Sequence, residues 1–262
     1  MPKFAANLTM LYNEMPFLDR FAAAARHGFK GVEFMFPYPY RAAEIAERLH
    51  GNALAMVLHN LPAGDWDGGE RGIACHPYRV QEFRDGVGRA IEYATALGCK
   101  QVNCLAGKAP AGVPEAKLRD TFTENLAYAA EQLGIVGIKL LIEPVNTRDI
   151  PGFYLNKTAQ ALKLIAEIGS KNLFLQYDIY HMQIMEGDLA RTIEAALPQI
   201  AHVQLADNPG RNEPGTGEIN YPFLFSFLDR IGYRGWIGCE YKPRTTTEEG
   251  IGWFTRRQPS AA

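Results

Sequence analysis

A chain of 262 residues with 47% hydrophobic content is long enough for one large core, and an α/β barrel of this length ordinarily forms a single domain. The formal net charge of −2 and the lack of a dense Lys/Arg block argue against nucleic acid as a partner, because duplex phosphates are neutralised by a basic stripe. Asn7, Asn13 and Glu14 interrupt the N-terminus and no run approaches the ~18 apolar residues of a membrane span, so the sequence predicts a soluble protein without a membrane partner.

In chain order, β-rich runs fall at 3–8 (KFAANL), 31–36 (GVEFMF), 54–59 (LAMVLH), 101–106 (QVNCLA), 138–143 (IKLLIE), 173–178 (LFLQYD), 202–207 (HVQLAD) and 235–241 (GWIGCEY). Helical apolar spacing fills 14–27, 40–50, 77–97, 115–133, 157–169, 187–197, 220–231 and 246–256. Gly28, Gly98, Gly134, Gly169 and Gly232 follow helical segments, where a left-handed cap residue is expected. Alternation of this kind predicts a (β/α)8 barrel over about 3–256, a single domain spanning 1–262 with a short C-terminal tail. An open doubly wound sheet would need a Gly-rich phosphate turn after an early strand, and none is present.

Cys75, Cys99, Cys104 and Cys239 form neither a Cys-x-x-Cys pair nor a disulfide scaffold, which predicts buried reduced thiols and a cytoplasmic setting. The longest connections, 60–76, 144–156 and 207–220, all follow strand C-termini, the face on which barrel enzymes place their chemistry. Within the last of these, GTGEIN lacks the Gly-x-x-x-x-Gly-Lys arrangement of a phosphate loop and is read as a mobile loop near the site.

Four apolar runs of the second half end on oxygen-bearing side chains: Glu143, Asp178, Gln204 and Glu240, spaced 35, 26 and 36 residues apart. That spacing is one strand, one helix and two loops, so the four converge on one end of the barrel. Three carboxylates placed together repel one another and call for a counter-cation. The all-oxygen set favours a hard divalent ion, Mg²⁺ first and Mn²⁺ second. A substrate carboxylate would need a cation of its own, and Arg71, Lys108, Arg211 and Lys242 all lie in loops after strands. His59 closes the third strand and could polarise the same substrate, while Trp66, Phe36 and Tyr12 are candidates for the pocket wall.

The segments FAANLTMLYNE, GFKGVEFMFPYPY, HNLPAGDWDGGERGIA, LLIEPVN with DIPGFYL, QYDIYHMQ with MEGDL, HVQLADNPGRNEPGTGEINY and GWIGCEYKPRTTTEEG span nearly the whole chain. Together they resemble the hydroxypyruvate isomerase family, a branch of the metal-dependent sugar isomerase and epimerase barrels that are also related to endonuclease IV. The resemblance implies a xylose isomerase-like barrel that interconverts hydroxypyruvate and 2-hydroxy-3-oxopropanoate through an enediolate. It makes Glu143, Asp178, Gln204 and Glu240 the metal ligands and Glu143 and Glu240 the acid–base pair. It also sets His181, three residues beyond Asp178, against the substrate, and Arg211 and Lys242 lie in its matched motifs. In the wider epimerase family the third ligand is His, a position held here by Gln204. A 2-oxo-tetronate isomerase branch shares both ends of the chain, whereas HNLPAGDW, EPVN and ADNPGRNEPGTG favour the hydroxypyruvate branch. The competing readings are a repair nuclease and a non-catalytic sugar-acid binder; the partner expected is a small hydroxy-oxo acid, and a homo-oligomer is compatible with the sequence.

Overall fold

Eight short strands, each apolar toward the helices, close on themselves in a computed structural model that describes residues 2–255. They are β1 (Lys3–Asn7), β2 (Gly31–Glu33), β3 (Ala55–Asn60), β4 (Gln101–Cys104), β5 (Lys139–Ile142), β6 (Leu173–Asp178), β7 (Ile200–Leu205) and β8 (Trp236–Cys239). Each strand pairs in parallel with its sequence neighbours, and β8 returns to β1 with Lys3 opposite Trp236 and Ala6 opposite Cys239. Closure leaves no unpaired edge, and it aims all eight strand C-termini at one rim.

The helices are α1 (Arg20–Arg26), α2 (Ala42–Gly51), α3 (Val80–Ala96), α4 (Glu115–Ile135), α5 (Thr158–Ile168), α6 (Ile179–Met185), α7 (Leu189–Ala196), α8 (Tyr221–Arg230), α9 (Thr247–Gly250) and α10 (Gly252–Thr255). The expected (β/α)8 order holds, with three differences of substance. Helix α6 has no amphipathic period, since IYHMQIM is apolar almost all round, and it starts because Asp178 Oδ1 accepts from the backbone N–H of Tyr180 (2.7 Å) and His181 (3.3 Å). The segment expected as one helix over 246–256 is two short helices; residue 256 and the expected tail lie outside the described residues. Gly134 is not a cap: α4 runs past it to Ile135, and Gly137, at φ 70°, takes the left-handed position instead.

Between strands and helices lies the main apolar core, and a smaller cluster of Ala5, Val57, Leu58 and Leu141 floors the barrel. Above that floor the interior turns polar. Asn7, Glu33, Asn103, Gln176, His202 and Gln204 are each at most 2% exposed. Buried polar groups of this number are tolerated only when hydrogen-bonded to one another, and they form the base on which the rim residues stand. All four cysteines are buried and free, and no helix among the described residues is long and apolar enough to cross a membrane.

Candidate active site

Strand ends fix the site. Glu143 and Glu240 each follow the last residue of β5 and β8, Asp178 ends β6, and His181 sits in the first turn of α6. One ligand atom from each of these four buried residues lies within 4.8 Å of the others. Asn103 on β4 donates to Glu143 Oε2 at 2.9 Å, and Asn7 on β1 donates to Glu240 Oε1 at 3.3 Å. Asp178 spends Oδ1 on capping α6, while its Oδ2 is buried with no hydrogen-bond partner. An orphaned carboxylate oxygen facing two other carboxylates is what a cation site offers, and the cluster can hold a metal ion.

Electrostatics agree with the geometry. Burial first, then the Glu240 and Asp178 charges, push the Glu143 carboxyl well above the usual range. Burial also pushes Glu240 up to about 7 against the downward pull of Arg211, and raises Asp178. His181 is held neutral, its pKa lowered by burial and then by the Arg211 charge. Three carboxylates therefore resist simultaneous ionisation unless positive charge joins them.

Arg211 supplies part of that charge. Its Nη2 donates to Glu240 Oε2 at 2.6 Å, and its guanidinium lies 5.2 Å from the centroid of the Tyr180 ring. The backbone of Arg211 is left-handed, φ 54°, a conformation that costs a β-carbon-bearing residue about 1 kcal/mol or more. Arg211 stands in the loop after β7, which is braced from within. Asp207 Oδ2 collects the backbone N–H groups of Gly215, Thr216 and Gly217 at 2.8–3.1 Å and its Oδ1 takes that of Ile219, so the glycines of GTGEIN bind a protein carboxylate. Lys242 N–H then donates to the Arg211 carbonyl at 2.8 Å, tying this loop to the one after β8.

The carboxylate cluster opens into a cavity of about 560 Å³ lined by Trp66, Arg71, Asp149, His181, Arg211 and Lys242, among others. The family described as xylose isomerase-like TIM barrel matches residues 21–257. The chain belongs to that family. It is 58% identical over 254 residues to hydroxypyruvate isomerase of Escherichia coli (strain K12), with 97% of this chain and 98% of the relative covered. It is 50% identical, at the same coverage of both, to 2-oxo-tetronate isomerase of Cupriavidus necator. A crystal structure described as AP endonuclease, family 2 from Brucella melitensis superposes with a TM-score of 0.96 at 48% identity, covering 99% of this chain and all of the other. Relatives at this identity and coverage support an isomerase, in keeping with the resemblance seen in the sequence.

Of the residues singled out from the sequence, Glu143, Glu240, His181, Arg211, Arg71 and Lys242 line the one cavity, with Asp178 buried beneath them. Arg71 is held rigidly, donating to the carbonyls of Trp66 and Glu70 and stacking 4.2 Å from the Trp66 ring centroid. Trp66 itself lines the cavity, with Phe36 packed edge-on behind it at 5.0 Å. Gln204 lies beside Asp178 in register, its Oε1 accepting from Gln176 (2.6 Å) and its Nε2 donating to Glu33 (2.7 Å).

Gln204, held by Gln176 and Glu33, is not among the cavity-lining residues, and neither are His59, Lys108 and Tyr12. Strand β3 extends to Asn60, and it is Asn60 that lines the pocket; by the two-residue alternation of a strand His59 points the other way. Its ring lies against Tyr38 on the helix side, where burial lowers its pKa to about 4. Lys108 is drawn off by the β3–α3 loop, donating to the Gly69 carbonyl at 2.9 Å. Tyr12, considered for the wall, is buried with His27 instead.

Sequence reasoning missed Asn7, Glu33, Asn103, Asn146 and Asp149. The first three are polar residues at inward positions of short strands in the first half, and the same parity that exposed Glu143 and Asp178 marks them. Glu33 has no charged partner in sequence; space for it comes from Gly238 on β8, one strand removed from β2, where an added Cβ would run into its carboxylate.

Proposed function

We propose that this protein is a divalent-metal-dependent isomerase that interconverts hydroxypyruvate and 2-hydroxy-3-oxopropanoate. The observation that carries the proposal is the pairing of Glu143 and Glu240, two buried carboxylates arriving from β5 and β8 at one orphaned Asp178 oxygen. Glu143, Asp178 and Glu240 would hold the cation, with the Gln204 amide oxygen as fourth donor through the lone pair that its hydrogen bond from Gln176 leaves over, and the all-oxygen chemistry suits Mg²⁺ or Mn²⁺. Bound there, the ion supplies Lewis-acid stabilisation of negative charge on substrate oxygens.

The protein's own groups account for the rest. Arg71, Arg211 and Lys242 form the cationic wall that takes the substrate carboxylate. One glutamate removes a proton from C3, giving the enediolate; the hydroxyl proton on the C3 oxygen passes to the C2 oxygen; and a proton is returned to C2. Burial keeps the proton affinity of both glutamates above the ordinary carboxylate range in the cation-free site, which suits proton exchange near neutrality. Neutral His181 offers a hydrogen bond to the substrate oxygens and adds no charge.

A 2-oxo-tetronate, one carbon longer, is the second reading, favoured by the 50%-identical relative and by the room in the cavity. A nuclease reading draws on the 48%-identical structure described as an AP endonuclease, but the net charge of −2 and the acidic centre weigh against a phosphate backbone as ligand. A soluble cytoplasmic enzyme acting on a small acid, with no nucleic-acid or membrane partner, fits this proposal. The deciding assay takes protein stripped by a chelator and refilled with Mg²⁺ or Mn²⁺ and offers it hydroxypyruvate, a 2-oxo-tetronate and abasic duplex DNA. Metal-restored turnover of hydroxypyruvate with the largest kcat/KM is expected. Faster turnover of the tetronate moves the assignment to that branch, and strand cleavage without isomerisation overturns it.

A further inference from the structure

The loop after β5 contains a hydrogen-bond chain that ends at the candidate metal cluster. Tyr180 Oη donates to Asp149 Oδ2 at 2.9 Å, Asn146 Nδ2 donates to the same oxygen at 3.0 Å, and the Asp149 backbone N–H donates to Asn146 Oδ1 at 2.7 Å. These contacts leave one orientation for the Asn146 amide, because turning it over would set N–H against N–H at the Asp149 backbone and oxygen against oxygen at its carboxylate. The second hydrogen of Asn146 Nδ2 faces His181 Nδ1 at 2.7 Å. Nδ1 of the neutral imidazole must therefore accept, and the ring proton resides on Nε2. Nε2 is the nitrogen aimed at the cluster, 3.6 Å from Asp178 Oδ2 and 3.9 Å from Glu143 Oε1.

We infer that Asn146 is a positioning residue that fixes His181 as an Nε2–H donor, which removes His181 from the ligand set and commits it to donating to a substrate oxygen. With one ring nitrogen occupied by an incoming N–H and the other carrying a hydrogen, the imidazole has no lone pair to offer a cation, although it stands among three carboxylates that could share one. A hydrogen bond from Nε2–H to an oxygen that gains negative charge strengthens as the enediolate forms, so the tautomer bears on kcat more than on KM. This inference rests on the isomerase reading for its kinetic part; the tautomer itself does not.

Two measurements test it. In metal-free protein with ¹⁵N-labelled histidine, the His181 ring should show a protonated Nε2 and an unprotonated Nδ1. Asn146→Asp presents only acceptors to Nδ1 and should reverse that pattern, while Asn146→Ala, which removes the donor without adding charge, should give a mixture of tautomers. A wild-type ring protonated on Nδ1, or an Asn146→Asp ring that keeps its Nε2 proton, overturns the inference whatever the substrate proves to be. The kinetic test is a double-mutant cycle with His181→Gln, whose amide can still donate near the Nε2 position. Asn146→Asp should lower kcat ~10²-fold in the wild-type background with KM changed little, and less than about threefold in the His181→Gln background. Equal losses in both backgrounds would assign Asn146 a general structural role and sink the proposal.

Discussion

Arg211 Nη2 lies 2.6 Å from Glu240 Oε2, so a side chain expected to greet the substrate carboxylate is engaged by the carboxylate cluster itself. Glu240, Asp178 and Glu143 all act electrostatically on that guanidinium. Positive charge from the protein and positive charge from a metal would thus be alternatives at one place, and the arginine would set part of the affinity for a metal bound there.

Replacing Arg211 by Gln removes that competing charge. The variant should bind Mn²⁺ about tenfold more tightly, the order of effect expected when a like charge a few ångströms away is deleted from a partly buried site. Its turnover should fall because the substrate carboxylate loses a partner. Isothermal titration of the stripped protein gives the first quantity; unchanged or weaker Mn²⁺ binding would show that the arginine does not oppose the metal.

The raised proton affinity of Glu240 makes a statement about stability. A carboxyl held at about 7 in the folded protein against 4.5 in the unfolded chain costs nothing below the lower value. Its relative contribution is lost progressively as pH rises from 4.5 through 7, because the unfolded chain releases the proton first. His181 and His59 are shifted downward and act in the opposite sense, since their neutral folded forms disfavour folding as pH drops below the ordinary histidine range. Comparing wild type with Glu240→Gln isolates the carboxyl. In metal-free protein the variant's melting temperature should gain ~5 °C on wild type between pH 5 and pH 8. Divalent metal added to wild type should close most of that gap, and a difference independent of pH would contradict the shift.

Glu33 is the keystone of the polar interior. His202 Nε2 lies 2.7 Å from its Oε2, and Gln204 and Asn7 both donate to its Oε1, while Asn7 continues to Glu240. Glu33→Ala leaves these groups facing an empty space, so unfolding should become easier by ~3–5 kcal/mol, the scale for breaking a buried charged network from one side. Denaturant titration measures it. A loss under about 1 kcal/mol would mean that water replaces the carboxylate without cost.

Much of this was legible in the chain. Strand and helix alternation predicts the barrel, and Glu143, Asp178 and Glu240 meet because each ends an apolar strand. His59 and Asn60 show where such reading stops: a strand longer by one residue exchanges which of two neighbours faces the pocket. Lys108 and Arg71 are alike in sequence, yet only one reaches the cavity, because the partners that hold them, Gly69 for Lys108 and the carbonyls of Trp66 and Glu70 for Arg71, depend on how the 60–79 loop folds. Glu33 stayed hidden for another reason. Its partners His202, Gln204 and Gly238 are some 170 residues or more away in sequence, and barrel closure alone brings them together.

Glu143 and Glu240 allow the most direct test of the chemistry. Each is buried, each takes one asparagine hydrogen bond, and each arrives from a different strand, so the two can address opposite sides of a planar enediolate. Substitution by Gln preserves shape and leaves an amide oxygen for the metal but removes the proton acceptor. Mn²⁺ affinity should fall modestly, while kcat falls ~10²-fold or more, the scale of general acid–base catalysis. In D₂O the wild-type reaction should place deuterium on substrate carbon, unless one shielded carboxylate carries the same proton across. If each glutamate serves one carbon, the variant that retains the C3 base should still exchange the C3 protons of hydroxypyruvate without isomerising it, and the other variant should do neither. Mass spectrometry of recovered hydroxypyruvate separates the two cases. Near-normal turnover by either metal-loaded variant would remove that glutamate from proton transfer and shift the search for the base to Asp149, a residue that lines the same cavity.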